Sequence, residues 1–335
     1  MKTFIILLSF ITLVLKIEAQ ALDDEYIPHA NETTIHDAII NANKLKAFVL
    51  PEIRYFRIKF HIICKSNGSQ GLDVTKLPTL VKMLNTAFAP VNIQFFSCAS
   101  IDFVNDDIVS AYSDFVDSSK NQNWVENRNQ SNAVNIYFFK TPGHRGITSS
   151  GSWIVMQNDQ ILVATPHEMG HFFGLDHTFI HGNENVARSG TQCNCGTAGD
   201  GFCDTPADPG VIGWSPCIYT RTVVDAYGNT YSPDVHNFMS YYFCEDIVND
   251  GTVLSHFSEQ QMEYMSNYAD NVNSTSQIIP IQNTTYNSNR TITNSDMEVL
   301  RNVSLTNNAN IVINACGDIL EHDVTIPLGC SLQLN

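Results

Sequence analysis

The chain has 335 residues, 43% of them hydrophobic, enough to bury one substantial core and leave material for a small second module. Lys and Arg number 18 against 34 Asp and Glu; the formal net charge of -16, with no basic cluster, argues against nucleic acid or an anionic membrane surface as a partner. Past Leu15 no segment approaches the roughly 20 apolar residues of a membrane span, so membrane insertion is not expected.

Residues 1–21 read as a secretory signal peptide: Lys2, an apolar run from Phe4 to Leu15, and Ala19-Gln20-Ala21 as the cleavage signal. The mature protein is therefore expected to be secreted and extracellular. Residues 22–51 are polar and without a period, a pro-segment or N-terminal extension; they hold no cysteine, which excludes a thiolate metal cap from this region. From Arg54 to Cys64, Phe56, Ile58, Phe60 and Ile62 alternate with Arg57, Lys59 and His61, which predicts a half-buried strand. Leu77, Leu80, Val81, Leu84 and Phe88 recur at helical spacing after Asp73 and Thr75, predicting a helix over about 75–89 with Pro78 near its start. Val91 to Cys98 reads as a second strand, and the resulting βαβ unit would bring Cys64 and Cys98 close enough to bridge. Residues 102–124 read as helix and loop, and Ala133 to Phe139 and Ser152 to Met156 as strands.

The next stretch, from His167 to His177, reads H-E-x-x-H-x-x-G-x-x-H. On a helix starting near Thr165, His167 and His171 lie one turn apart and reach one metal ion. Glu168 between them suits a general base for a metal-activated water. Gly174 lets the chain leave the helix through a conformation that a Cβ resists, bringing in His177 as the third ligand. Zinc is the expected metal, with a fourth tetrahedral position left for water.

Residues 178–242 are rich in Gly, Pro, Cys and Asp and too aperiodic to fold on regular elements alone, so disulfides are expected there. Asp200, Asp204 and Thr205 offer oxygens at short spacing as candidate calcium ligands, although turn and cap formation explains them at least as well. All 9 cysteines follow the signal peptide, so export makes disulfides the default and the odd count leaves at least one thiol free, intermolecular or otherwise engaged. Cys193-x-Cys195 reads as disulfide material rather than a metal site. Ser258 and Gln261 resemble a capping box for a last helix with Met262, Met265 and Tyr268 on its apolar side. Residues 271–291 are expected to be an Asn/Ser/Thr-rich linker, and 292–335 a small β-rich module with strands at 310–314 and 331–334 and a Cys316–Cys330 bridge. Element order thus predicts an α+β fold: a mixed twisted sheet over a long zinc-binding helix, then a loop-rich C-terminal half.

Beyond the zinc motif stand His177-Thr178-Phe179, Asp204-Thr205-Pro206-Ala207, Asn237-Phe238-Met239-Ser240-Tyr241, Cys244 and Phe257-Ser258-Glu259-Gln260-Gln261. In these the chain resembles the pappalysin family of metzincin metallopeptidases over residues 52–270. The resemblance implies a zinc metalloendopeptidase acting on proteins or peptides, with Met239 as the Met-turn residue under the metal and Tyr241 bonding the oxyanion. It implies a loop tied by cysteines, for which Cys217 with Cys244 is the preferred pair, and calcium near Asp200, Asp204 and Thr205. Several relatives carry an acidic residue just before the cysteine that follows the Met-turn, with preference for Arg or Lys at P1'. Phe243 stands there instead, which predicts an apolar P1' preference. The rival readings are a secreted binding protein that uses the domain as a scaffold, opposed by the intact Glu168 and Met239, and another metzincin such as an astacin-like enzyme.

Overall fold

The structure is a computed structural model that describes residues 25–27, 52–97, 101–112, 119–210, 218–242, 255–272, 277–278, 280–293, 298–315, 318–320 and 324–334. Its frame is a 7-stranded sheet. In chain order the strands are β1 (Glu25–Ile27), β2 (Arg54–Cys64), β3 (Ile93–Phe96), β4 (Asp102–Asn105), β5 (Val134–Phe139), β6 (Gly146–Ser149) and β7 (Trp153–Gln157). They lie in the order β1-β6-β7-β5-β2-β3, with β4 beside the C-terminal half of β2. Strands β2 to β5 and β7 run parallel, and β6 runs antiparallel to β7.

The expected helix between the first two core strands is α1 (Leu77–Phe88), with Leu77, Leu80, Met83, Leu84 and Phe88 buried and a proline in its first turn. It completes a parallel β2-α1-β3 unit. The predicted Cys64–Cys98 bridge does not form: Cys64 is a free, buried thiol, and Cys98 lies outside the described residues. Register explains this, because β3 leaves β2 at Arg57↔Phe96 while Cys64 pairs with Asn105 of β4. The Cys64 sulfur also fills the space beside Gly71, where a Cβ would sit 2.5 Å from it.

β2 is buried on both faces, not on one. Phe56, Ile58, Phe60 and Ile62 join the main core, while Ile63 joins a second cluster with Val104, Val125, Tyr137, Phe139, Trp153 and Val155 on the other side. That cover comes from 102–112 and 119–126, where the unexpected strand β4 precedes the helix α2 (Ser119–Glu126). His61 survives burial because its Nδ1 lies 2.8 Å from Asp102 Oδ2, its Nε2 lies 3.0 Å from Asn135 Oδ1, and its ring stacks on Tyr137.

Two helices close the main core. α3 (Thr165–Phe172) is buried at every position and spans 8 residues, so the zinc helix is short rather than long. α4 (Glu259–Val272) sets Tyr264, Met265, Tyr268 and Ala269 into the core. Arg54, 4% exposed, pins it by donating to Ser266 O and Oγ at 2.5 and 2.8 Å and to Asp270 Oδ1 at 2.8 Å.

The C-terminal module begins earlier than expected, since the presumed linker supplies β8 (Ile281–Tyr286) and the start of β9 (Arg290–Thr293). With β10 (Glu298–Leu305), β11 (Asn310–Asn314), β12 (Asp318–Leu320) and β13 (Ser331–Leu334), the chain alternates between two parallel three-stranded sheets, β12-β10-β8 and β13-β11-β9. It therefore winds as successive turns of a parallel β-coil around Leu300, Val303, Leu305, Ile311 and Ile313. Cys330 is a free thiol packed beside this cluster, not half of a Cys316–Cys330 bridge; Cys316 is outside the described residues. No described helix is long and apolar enough to cross a membrane.

Candidate metal centre

α3 ends because Gly174 takes φ +81, and a Cβ there would meet Tyr268 Cε2 at 2.7 Å. The turn carries His177 back to the helix, as the motif predicts. The Nε2 atoms of His167, His171 and His177 then converge, at 3.0 Å for His171 to each of the others and 3.2 Å between His167 and His177. All three rings are buried. His167 Nδ1 lies 2.5 Å from Phe238 O and His171 Nδ1 2.6 Å from Leu175 O. A carbonyl only accepts, so each Nδ1 carries the proton and each Nε2 turns its lone pair towards the others. Burial lowers the pKa of His167 to about 4 and those of His171 and His177 well below the usual histidine range, which keeps the rings neutral at pH 7. Three neutral imidazole nitrogens converge, two of them fixed as lone pairs that repel each other unless a proton or a cation sits between them. The donor set fits zinc.

Glu168 is fully buried, and Thr148 Oγ1 on β6 bonds its Oε2 at 2.5 Å. β6 was not anticipated, although Gly146 on it gives the carboxylate room: a Cβ there would collide with Glu168. Met239 packs under α3, its sulfur 2.5 Å from where a Cβ on Gly170 would stand. The Tyr241 ring flanks the histidines, 4.5 Å from the His177 ring, and Phe179 stacks on the same imidazole.

Asp200 and Thr205 come together, with Asp200 Oδ1 accepting from Thr205 Oγ1 at 2.8 Å. Asp204 faces elsewhere and caps α4, accepting from Ser258 Oγ at 2.9 Å and Gln260 N at 2.7 Å. Glu184, which sequence reasoning passed over, lies buried near Asp200, and Arg188 Nη1 links it to Thr205 O at 2.6 and 2.8 Å. Burial pushes Asp200 up to about 8 and Glu184 up to about 7. Nothing in the spacing of Glu184 marks it out. A Cys195–Cys203 disulfide closes this loop, and Cys193 keeps a thiol 3.1 Å from Cys195 Sγ. Cys217, Cys244 and Phe243 lie outside the described residues, as does the segment 1–21.

Residues 145–270 match the sequence model of peptidase family M43, described as pregnancy-associated plasma protein-A. An extracellular metalloprotease of Podospora anserina is 24% identical over 253 residues, 67% of this chain and 74% of the relative. One of Sordaria macrospora is 26% identical over 235 residues, 63% of this chain and 73% of the relative. Among solved structures, Tannerella forsythia mature mirolysin in complex with a cleaved peptide is 16% identical, covering 68% of this chain and 97% of that one with a TM-score of 0.49. The matched segment spans the three histidines, Glu168 and the Met239 turn; over it the chain is similar to pappalysin-type metalloproteases, and it is a zinc metalloendopeptidase of the metzincin type.

Proposed function

We propose that the protein is secreted after loss of residues 1–21 and hydrolyses peptide bonds of extracellular proteins, with zinc held by His167, His171 and His177. The convergence of three buried Nε2 atoms, each at 3.0–3.2 Å from its neighbours, carries this reading. Bound zinc supplies a Lewis acid for the scissile carbonyl and lowers the pKa of water. Glu168 takes the proton of the attacking water and passes it to the leaving amine, held for that task by Thr148. The Tyr241 hydroxyl donates to the developing oxyanion, and Met239 supports α3 from below. Phe243 in place of an acidic residue favours apolar side chains at P1'.

Residues 22–51 act in this reading as a pro-segment to a catalytic domain over 52–270. Support comes from β1, whose Tyr26 pairs with Thr148 along the outer edge of β6, the strand that holds Glu168. A substrate strand adding to the same edge would have to displace it. Calcium is proposed near Asp200, Thr205 and Glu184, a buried acidic group whose raised carboxyl pKa values a cation would lower.

The test is zinc analysis with cleavage-site profiling on a denatured protein library, with and without a zinc chelator. Chelator-sensitive cleavage before apolar residues, lost in Glu168→Ala with zinc retained, is expected. Cleavage by purified Glu168→Ala would overturn the assignment of the base.

A further inference from the structure

Gln261 sits in the first turn of α4, fully buried, between two loops far apart in sequence. Its Nε2 donates to Asp200 Oδ2 at 3.0 Å, and its Oε1 accepts from Asn237 Nδ2 and from Ser258 N, both at 2.9 Å. Asn237 Oδ1 in turn accepts from Met239 N at 2.9 Å. Within that same turn, Phe238 O receives the Nδ1 proton of His167 at 2.5 Å. A buried chain of hydrogen bonds thus runs from the loop closed by Cys195–Cys203 to the ring of His167.

The amide orientation is dictated by its neighbours. Ser258 N and Met239 N are obligate donors, so Gln261 Oε1 and Asn237 Oδ1 must face them, leaving Gln261 Nε2 for the Asp200 carboxylate. Helix capping explains the bond to Ser258 N alone, and a glutamate at 261 would serve it equally. Donating to Asp200 while accepting from Asn237 requires an amide. Asp200, Asn237 and Gln261 are each no more than 3% exposed, so water cannot replace a lost link.

We propose that Gln261 is a positioning residue for the metal centre: it couples Asp200 to the 237–239 turn and so fixes the ring through which His167 meets the metal. The proposal rests on the assignment of His167 as a zinc ligand. An imidazole whose Nδ1 proton is held by a fixed acceptor presents Nε2 in one orientation, and loosening that acceptor weakens metal binding.

The test uses the secreted full chain carrying Gln261→Met, which keeps length and removes all three hydrogen bonds. Asn237→Ser is the second variant; it keeps an oxygen able to accept from Met239 N and removes only the link to Gln261. Val125→Ala in the second core controls for general destabilisation. Zinc affinity is measured by chelator competition, and melting of the metal-free protein separately. Both site variants should bind zinc about 10-fold or more weakly, while Val125→Ala melts lower with wild-type affinity. Wild-type zinc affinity in either site variant that folds, with only its melting temperature reduced, would reduce Gln261 to a helix cap and overturn the proposal. Absence of zinc binding by the wild-type chain would instead defeat the assignment of the centre itself.

Discussion

Thr148 Oγ1 lies 2.5 Å from Glu168 Oε2 and 3.1 Å from Glu168 O, so one hydroxyl on β6 holds both ends of a residue on α3. Thr148→Val keeps the shape and removes the bond. Its kcat should fall about 10-fold, the value of one hydrogen bond to a charged group, with zinc content unchanged. Steady-state peptide cleavage beside metal analysis checks this, and an unchanged kcat would detach Thr148 from Glu168's role.

Gly174 carries two constraints together, a φ of +81 and the approach of Tyr268. Gly174→Ala should cost on the order of 2 kcal/mol and displace His177 as the turn relaxes. Thermal melts and zinc stoichiometry report the two effects separately; wild-type values in both would contradict this account of the turn.

Asp200 and Glu184 have carboxyls pushed up to about 8 and about 7, in each case first by burial. An acid whose pKa is higher folded than unfolded binds more protons in the folded state. Its contribution is present below the ordinary carboxyl range near 4 and is lost as pH rises to about 8. The metal-free wild type should therefore lose stability relative to Asp200→Asn over that window, against the opposite contribution of His167, His171 and His177, whose pKa values burial lowers, and added calcium should reduce the difference. Melting curves at stepped pH, for wild type and Asp200→Asn, measure the contribution; an identical slope in the variant would remove Asp200 as its source.

Because β1 pairs with the outer edge of β6, a chain beginning at residue 52 should cleave peptides several-fold faster than one beginning at residue 22, at equal zinc content. Equal rates would end the reading of 22–51 as a brake.

What could be read beforehand followed the range of the signal. The period of Leu77, Leu80, Leu84 and Phe88, the apolar run of β5 and the spacing from His167 to His177 are local, and each reappears in the fold. β4 and β6 have four residues apiece, too few for alternation to show, and their place depends on partners distant in sequence. The second covered face of β2 was hidden for the same reason: Arg57, Lys59 and His61 mark a polar side, and only Asp102 and Asn135 make the burial of His61 tolerable. Gln261 was legible as a cap because Ser258 is three residues away, while its bonds to Asp200 and Asn237 cross 61 and 24 residues. Likewise Cys64 had a plausible mate in sequence, and strand register took it elsewhere.

The C-terminal coil constrains how this chain can change length. Leu300 faces Ile281 on one neighbouring turn and Leu320 on the other, and Ile311 likewise faces Arg290 and Leu332, so each turn takes about twenty residues. Inserting or deleting a few residues within a turn would swing the following apolar side chains off the shared core. A whole turn can be duplicated or removed with every ladder kept in step, so the module grows and shrinks in quanta of one coil.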